Sequence, residues 1–108
     1  MNSKKIKTNQ RKCIYFIDVE TNISAKRIDN DEDGEAVSIG IARLDEHGHV
    51  EKVYYKEFKP KEMVDMDAFR IHRLSNQKLR HKMEFSARDA EEINDILKDC
   101  NDCCAHYA

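Results

Sequence analysis

Two carboxylates one residue apart, Asp18 and Glu20, close the run Cys13-Ile14-Tyr15-Phe16-Ile17-Asp18-Val19-Glu20. A run so rich in β-branched and aromatic residues reads as a buried strand. Residues i and i+2 of a strand point to the same side, so both acids project together where this strand ends. Like charges held close repel unless a cation sits between them. Carboxylate oxygens are hard ligands that suit Mg²⁺ or Mn²⁺, which makes the pair a candidate divalent-metal site. On spacing alone a competing reading stands beside it, because an acid-x-acid triplet at a strand end is more often an exposed turn.

Other residues of chemical interest are more dispersed. His72 lies in a segment that reads as a short helix, where a histidine is more often a satisfied structural residue than a ligand contact. Cys100, Cys103, Cys104 and His106 offer one zinc half-site. A closed zinc site needs four converging ligands, and no second half-site exists. The cysteines are therefore expected to be small buried residues. Lys78, Arg80, His81, Lys82 and Arg88 form a basic stretch able to steer a phosphate backbone. It runs into the acidic segment Asp89 to Asp99, so the expectation is a solvated face balanced locally by that helix.

The elements that must position these groups follow from periodicity. Ala36 to Leu44 alternates Val37, Ile39 and Ile41 on one face with Ser38, Gly40 and Ala42 on the other. Small residues on one face let a helix or a ligand backbone approach closely. Asp45 to His49 supplies turn chemistry, and Val50 to Phe58 makes a third strand, so the three form an antiparallel meander. After Pro60 the chain turns helical. Ser86-Ala87-Arg88-Asp89 resembles a capping box, with Phe85 and Ala90 placed as a hydrophobic staple. Ala90, Ile93 and Leu97 make the buried stripe of that helix. Asp99 to Asp102 breaks it, and Cys103 to His106 opens a further strand. The expected fold class is α/β and incomplete: a three-stranded antiparallel meander, a helical crossover and the start of a fourth strand. Residues 1–12 carry five positive charges and no acid, which reads as a mobile basic arm. Residues 13–108 read as the N-terminal portion of a domain, and Asp29 to Glu35 as a self-repelling loop that cannot pack.

Composition excludes several classes. The 108 residues are 40% hydrophobic and 37% charged, enough for one domain with a modest core. Nineteen basic against 21 acidic residues argues against bulk attraction to a long nucleic acid, while leaving a short local grip. No apolar stretch approaches the roughly 20 residues that span a bilayer. The basic start is not followed by a hydrophobic signal segment. Of the four cysteines three crowd the C-terminus, unlike a secreted disulfide framework. A reduced, cytoplasmic protein away from membranes is the expectation.

Five short segments add a resemblance. Phe16-Ile17-Asp18-Val19-Glu20-Thr21 resembles the first motif of the DEDDh-type 3′→5′ exonucleases, in which a strand ends D-x-E-T. Val37-Ser38-Ile39-Gly40-Ile41-Ala42 is similar to that family's second strand, and Phe58-Lys59-Pro60 to the end of its third. Phe69-Arg70-Ile71-His72-Arg73-Leu74 resembles its F-x-x-H-G-I element. Ala105-His106-Tyr107-Ala108 resembles the opening of its second motif, H-N-A-x-F-D. In order and spacing the set is most like the proofreading epsilon subunits of bacterial DNA polymerase III.

The resemblance implies a ribonuclease H-like fold and two-metal phosphodiester hydrolysis. Asp18 and Glu20 match the first two metal-binding catalytic acids. Thr21, His72 and His106 match substrate-binding positions. The implied substrate is the 3′ end of single-stranded DNA, with replicative polymerase subunits as partners. An RNA-trimming exonuclease is the alternative enzyme, and a non-catalytic nucleic-acid or polymerase-subunit binding module the alternative to an enzyme. The third acid belongs five residues after His106, and the later motif with a general-base histidine and a fourth acid does not occur. Two acids hold at most one metal weakly. Arg73 replaces the familiar glycine, Tyr107 an asparagine, Asn22-Ile23 a Thr-Gly pair, and Ser38 a glutamate. The expectation is that the polypeptide as written is catalytically inactive.

Overall fold

The computed structural model describes residues 14–98 and, as backbone, 102–107. Strands β1 (Ile14–Thr21), β2 (Ala36–Leu44) and β3 (Val50–Glu57) form the expected antiparallel meander. Strand β4 (Asp102–Tyr107) lies parallel to β1, giving the order β3-β2-β1-β4. The carboxylate-bearing strand is thus central, flanked on both sides. In the β2–β3 turn the Asp45 carboxylate accepts from the amides of His47 and His49, both at 2.9 Å. Gly48 there takes φ 82°, a conformation that suits a residue without Cβ.

One face of the sheet is closed by helix α4 (Ala87–Leu97), which supplies the crossover toward β4. Tyr15, Ile39, Ile41, Tyr54 and Phe58 form the core there, with Ile93, Ile96 and Leu97 packed against it. The helical stripe is half-buried rather than buried, and Ile96 belongs to it. Ser86 caps the helix as the sequence predicts: its hydroxyl accepts from the Asp89 amide, and Asp89 Oδ2 accepts from the Ser86 amide at 2.9 Å. Phe85 meets Phe58 edge-on, with ring centroids 5.2 Å apart.

Helix α1 (Ala25–Asp29) follows β1, and α2 (Met66–His72) and α3 (Asn76–Leu79) lie between β3 and α4. Val37, Val64, Ala68, Leu74 and Leu79 form a second core around the start of β2. Asp65 and Ser75 cap α2 and α3, accepting from the amides of Ala68 and Lys78. α2 stops at Arg73, whose φ of 62° is left-handed. That geometry is why a glycine suits this position.

Residues 29–34 are exposed, as expected of a charged loop, while Glu32 and Glu35 find partners. Asp29 ends α1, Glu32 pairs with Arg27 at 2.7 Å, and Glu35 accepts from the amides of Lys61 and Glu62, both at 2.8 Å. The self-repulsion is relieved at Glu32 by a guanidinium and at Glu35 by backbone donors, and of these acids only Glu35 is half-buried. The expected basic arm, residues 1–12, lies outside the described residues, as does Cys100 of the zinc half-site. Among the described residues no helix is long and apolar enough to cross a membrane.

Candidate active site

The second face of the sheet carries the carboxylates. Register places Asp18 opposite Gly40 and Gly40 opposite Tyr55, while Glu20 faces Ser38 and Ser38 faces Glu57. Ser38, Gly40 and Ala42 therefore floor a groove along β2. Phe16, Asp18 and Glu20 make one wall. A register shift between Ile41 and Ala42 brings Lys52 onto the same side as Tyr55 and Glu57, which make the other wall. Two inter-strand steps separate the walls by about 10 Å. The cavity beside Asp18 measures about 300 Å³ and is lined by Phe16, Ser38, Gly40, Lys52 and Tyr55.

Asp18 is exposed and Glu20 half-buried, with its Oε2 shielded from water. Both project from the end of β1 as the i, i+2 spacing predicts. β4 brings His106 into register with Asp18 along the backbone. Across the groove the Tyr55 hydroxyl donates to Glu57 Oε2 at 2.7 Å. Desolvation, then that hydrogen bond and the charges of Glu57 and Glu20, push the phenol up to about 12. Burial alone would raise Glu57, but the Tyr55 bond and the ammonium groups of Lys78 and Lys82 hold it below the usual carboxylate range.

Thr21 and His72 tie the end of β1 to α2. The buried Thr21 hydroxyl donates to the Ile23 carbonyl at 2.6 Å. The Leu74 amide donates to His72 Nδ1 at 2.9 Å, which requires that nitrogen to be unprotonated. The proton therefore sits on Nε2, which donates to the Thr21 carbonyl at 2.9 Å. In this structure both ring nitrogens serve the backbone beside Glu20.

Asn22 has a role that sequence reasoning missed. Its Oδ1 accepts from the Glu35 amide at 2.7 Å, and its Nδ2 donates to Glu35 Oε1 and to the Glu62 carbonyl at 3.3 and 3.2 Å. Its backbone carbonyl accepts from the Asp65 amide at 2.8 Å. One buried amide thus fixes β1, the start of β2 and the approach to α2. The only available signal was a side chain able to donate and accept, placed directly after a strand.

Asp18 and Glu20 suit a hard cation chemically. Among the described residues no third Asp, Glu, His or Cys completes a metal-binding group with them. No protein-family model matches the sequence, and no curated protein does. Among solved structures, the fold is similar to that described as the crystal structure of a full-length 3′-exonuclease, with a TM-score of 0.65 at 13% identity. The match covers 83% of this chain and 30% of that one. The class defined by this likeness is an α/β fold of the exonuclease kind.

Proposed function

We propose that these residues carry the first metal-binding half of a DEDDh-type 3′→5′ exonuclease domain, most like the proofreading epsilon subunits of bacterial DNA polymerase III. The observation that carries the reading is the placement of Asp18 and Glu20 together at the end of a central strand, over an open groove, in a 3′-exonuclease-like fold. Asp18 and Glu20 would hold Mg²⁺ or Mn²⁺, which when bound neutralises them and polarises a phosphodiester. The groove admits a single-stranded DNA 3′ end. His72 and Thr21 fix the backbone next to Glu20, and a replicative polymerase is the partner that would present mispaired ends. Two of the family's four acids do not complete a two-metal site, so residues 1–108 by themselves are expected not to hydrolyse DNA.

Manganese titration followed by electron paramagnetic resonance tests the site. One weakly bound Mn²⁺ is expected, lost in Asp18→Asn and in Glu20→Gln; equal binding by all three proteins refutes the assignment. Incubation with single-stranded DNA and Mn²⁺ tests the inactivity. Digestion from the 3′ end that disappears in Asp18→Ala shows that the chain is a working nuclease.

A further inference from the structure

The basic stretch 78–82 is not balanced by the acidic helix that follows it. Asp89 is taken by Lys56 of β3 at 2.5 Å. Lys78 and Lys82 instead fold onto the sheet, each 3.5 Å from the Glu57 carboxylate. We infer that Lys78 and Lys82 form a phosphate-binding edge that takes the backbone of a single-stranded nucleic acid whose 3′ end lies at Asp18 and Glu20. The inference rests on the proposed function and names the part of the protein that grips the strand rather than its end.

Stoichiometry is the first argument. One carboxylate answers two ammonium groups, so the cluster keeps a surplus positive charge. Position is the second. Glu57 stands opposite Ser38, which stands opposite Glu20, so the lysines flank the same cross-strand row as the second acid. Accessibility is the third. The Lys78 and Lys82 side chains are 54% and 44% exposed, against 11% for Glu57. Ion pairs with that much water around them are weak, and an ammonium on a flexible stem can turn toward a phosphate at little cost. The positive surface also continues past the cluster. Lys59, Lys61 and Arg80 line an adjoining cavity of about 210 Å³, and none of them forms an ion pair among the described residues. The nearby carboxylates are Glu35, bonded to the backbone amides of Lys61 and Glu62, and Glu84, which lines the next cavity with Lys59 and Lys61.

Fluorescence anisotropy with a labelled single-stranded deoxyoligonucleotide of about twelve nucleotides, within the span such surfaces bind, tests the inference across a salt series. EDTA is present so that no metal contributes. Wild type is expected to bind. Lys78→Gln/Lys82→Gln weakens binding about tenfold and lowers the slope of log K against log salt by about 1.4, at roughly 0.7 per single-strand phosphate contact. Lys78→Arg/Lys82→Arg keeps the affinity within about twofold, which controls for folding. Glu57→Gln releases both lysines and tightens binding several-fold, a gain that a merely structural cluster does not give. Unchanged binding in the double glutamine variant, no gain in Glu57→Gln, or equal competition by polyglutamate overturns the inference. The manganese titration on the same proteins separates the two readings. Mn²⁺ binding without oligonucleotide binding defeats the phosphate edge alone, and the converse defeats the carboxylate site alone.

Discussion

Lys56 and Glu57 are neighbours on β3 that point to opposite faces of the sheet, and each finds a different electrostatic world. Lys56 meets one carboxylate, Asp89, whose side chain is only 6% exposed and which also closes the cap of α4. The Lys56 bond first, and then those from Ser86, hold Asp89 below the usual carboxylate range against the opposing pull of burial. Glu57 meets two lysines at a wet edge. One charge pair is a matched clasp between layers; the other leaves cationic surplus in solvent. The α4 face thus carries the shielded, matched pair, and the groove face carries the groups to which the proposed metal and nucleic-acid binding is assigned.

Asn22 is where that division should break. Asn22→Ala leaves the Glu35 amide and the Glu62 carbonyl without their buried partner, at a cost of about 3 kcal/mol. Because the same residue anchors the strand end that carries Glu20, Mn²⁺ affinity should fall in parallel; urea melts and manganese titration of one preparation check both. On the covered face, Asp89→Ala removes the side-chain half of the capping box and the Lys56 partner and costs about 2 kcal/mol. There Mn²⁺ affinity should hold. Asp89 also sets a pH dependence. Its folded pKa lies below the unfolded value near 3.9, so its contribution is complete above that value and is lost as pH falls through the lowered one. Asp89→Asn is expected to flatten stability against pH on that acid limb.

Two smaller effects sharpen the comparison. Arg73→Gly relieves a left-handed residue worth roughly 1–2 kcal/mol. It also forfeits glycine's extra chain entropy and the contact of the guanidinium with the Phe69 ring at 5.6 Å. The net expectation is a gain of about 0.5 kcal/mol in the urea midpoint analysis. Asp18→Asn, on the open face, should change stability by less than about 0.5 kcal/mol while abolishing Mn²⁺ binding. A large loss of stability there would show that the two faces are not separable.

What the sequence made legible follows from how local each signal is. Alternating Val37, Ile39 and Ile41 against Ser38, Gly40 and Ala42 marked β2, and the same alternation foretold the groove floor. Ser86 and Asp89 announced the start of α4 because a capping box is contained within four residues. The missed features all depend on partners far along the chain. Asn22 takes its meaning from Glu35 and Glu62, and Glu35 from the amides of Lys61 and Glu62, so the charge run alone does not reveal that its last carboxylate is tied down. From sequence alone the balance of Lys78 and Lys82 falls to the next helix, whereas sheet register delivers Glu57 from twenty and more residues upstream. Arg73 was visible as a departure from glycine, but only φ explains what glycine contributes there.

The parallel pairing of β1 with β4 has a kinetic consequence. The meander joins neighbours in sequence, whereas Asp18 and His106 come into register only after a loop of roughly ninety residues is closed. Long-range pairing of this kind pays its entropy before any contact rewards it. The acid-bearing strand should acquire its β2 partner early and its β4 partner late. In pulse-labelled hydrogen exchange during refolding, the amides of β1 that bond to β2 should gain protection before those that bond to β4; simultaneous protection would show that the sheet condenses as one unit. Asp18 and Glu20 would then stand on an ordered surface before β4 arrives beside them.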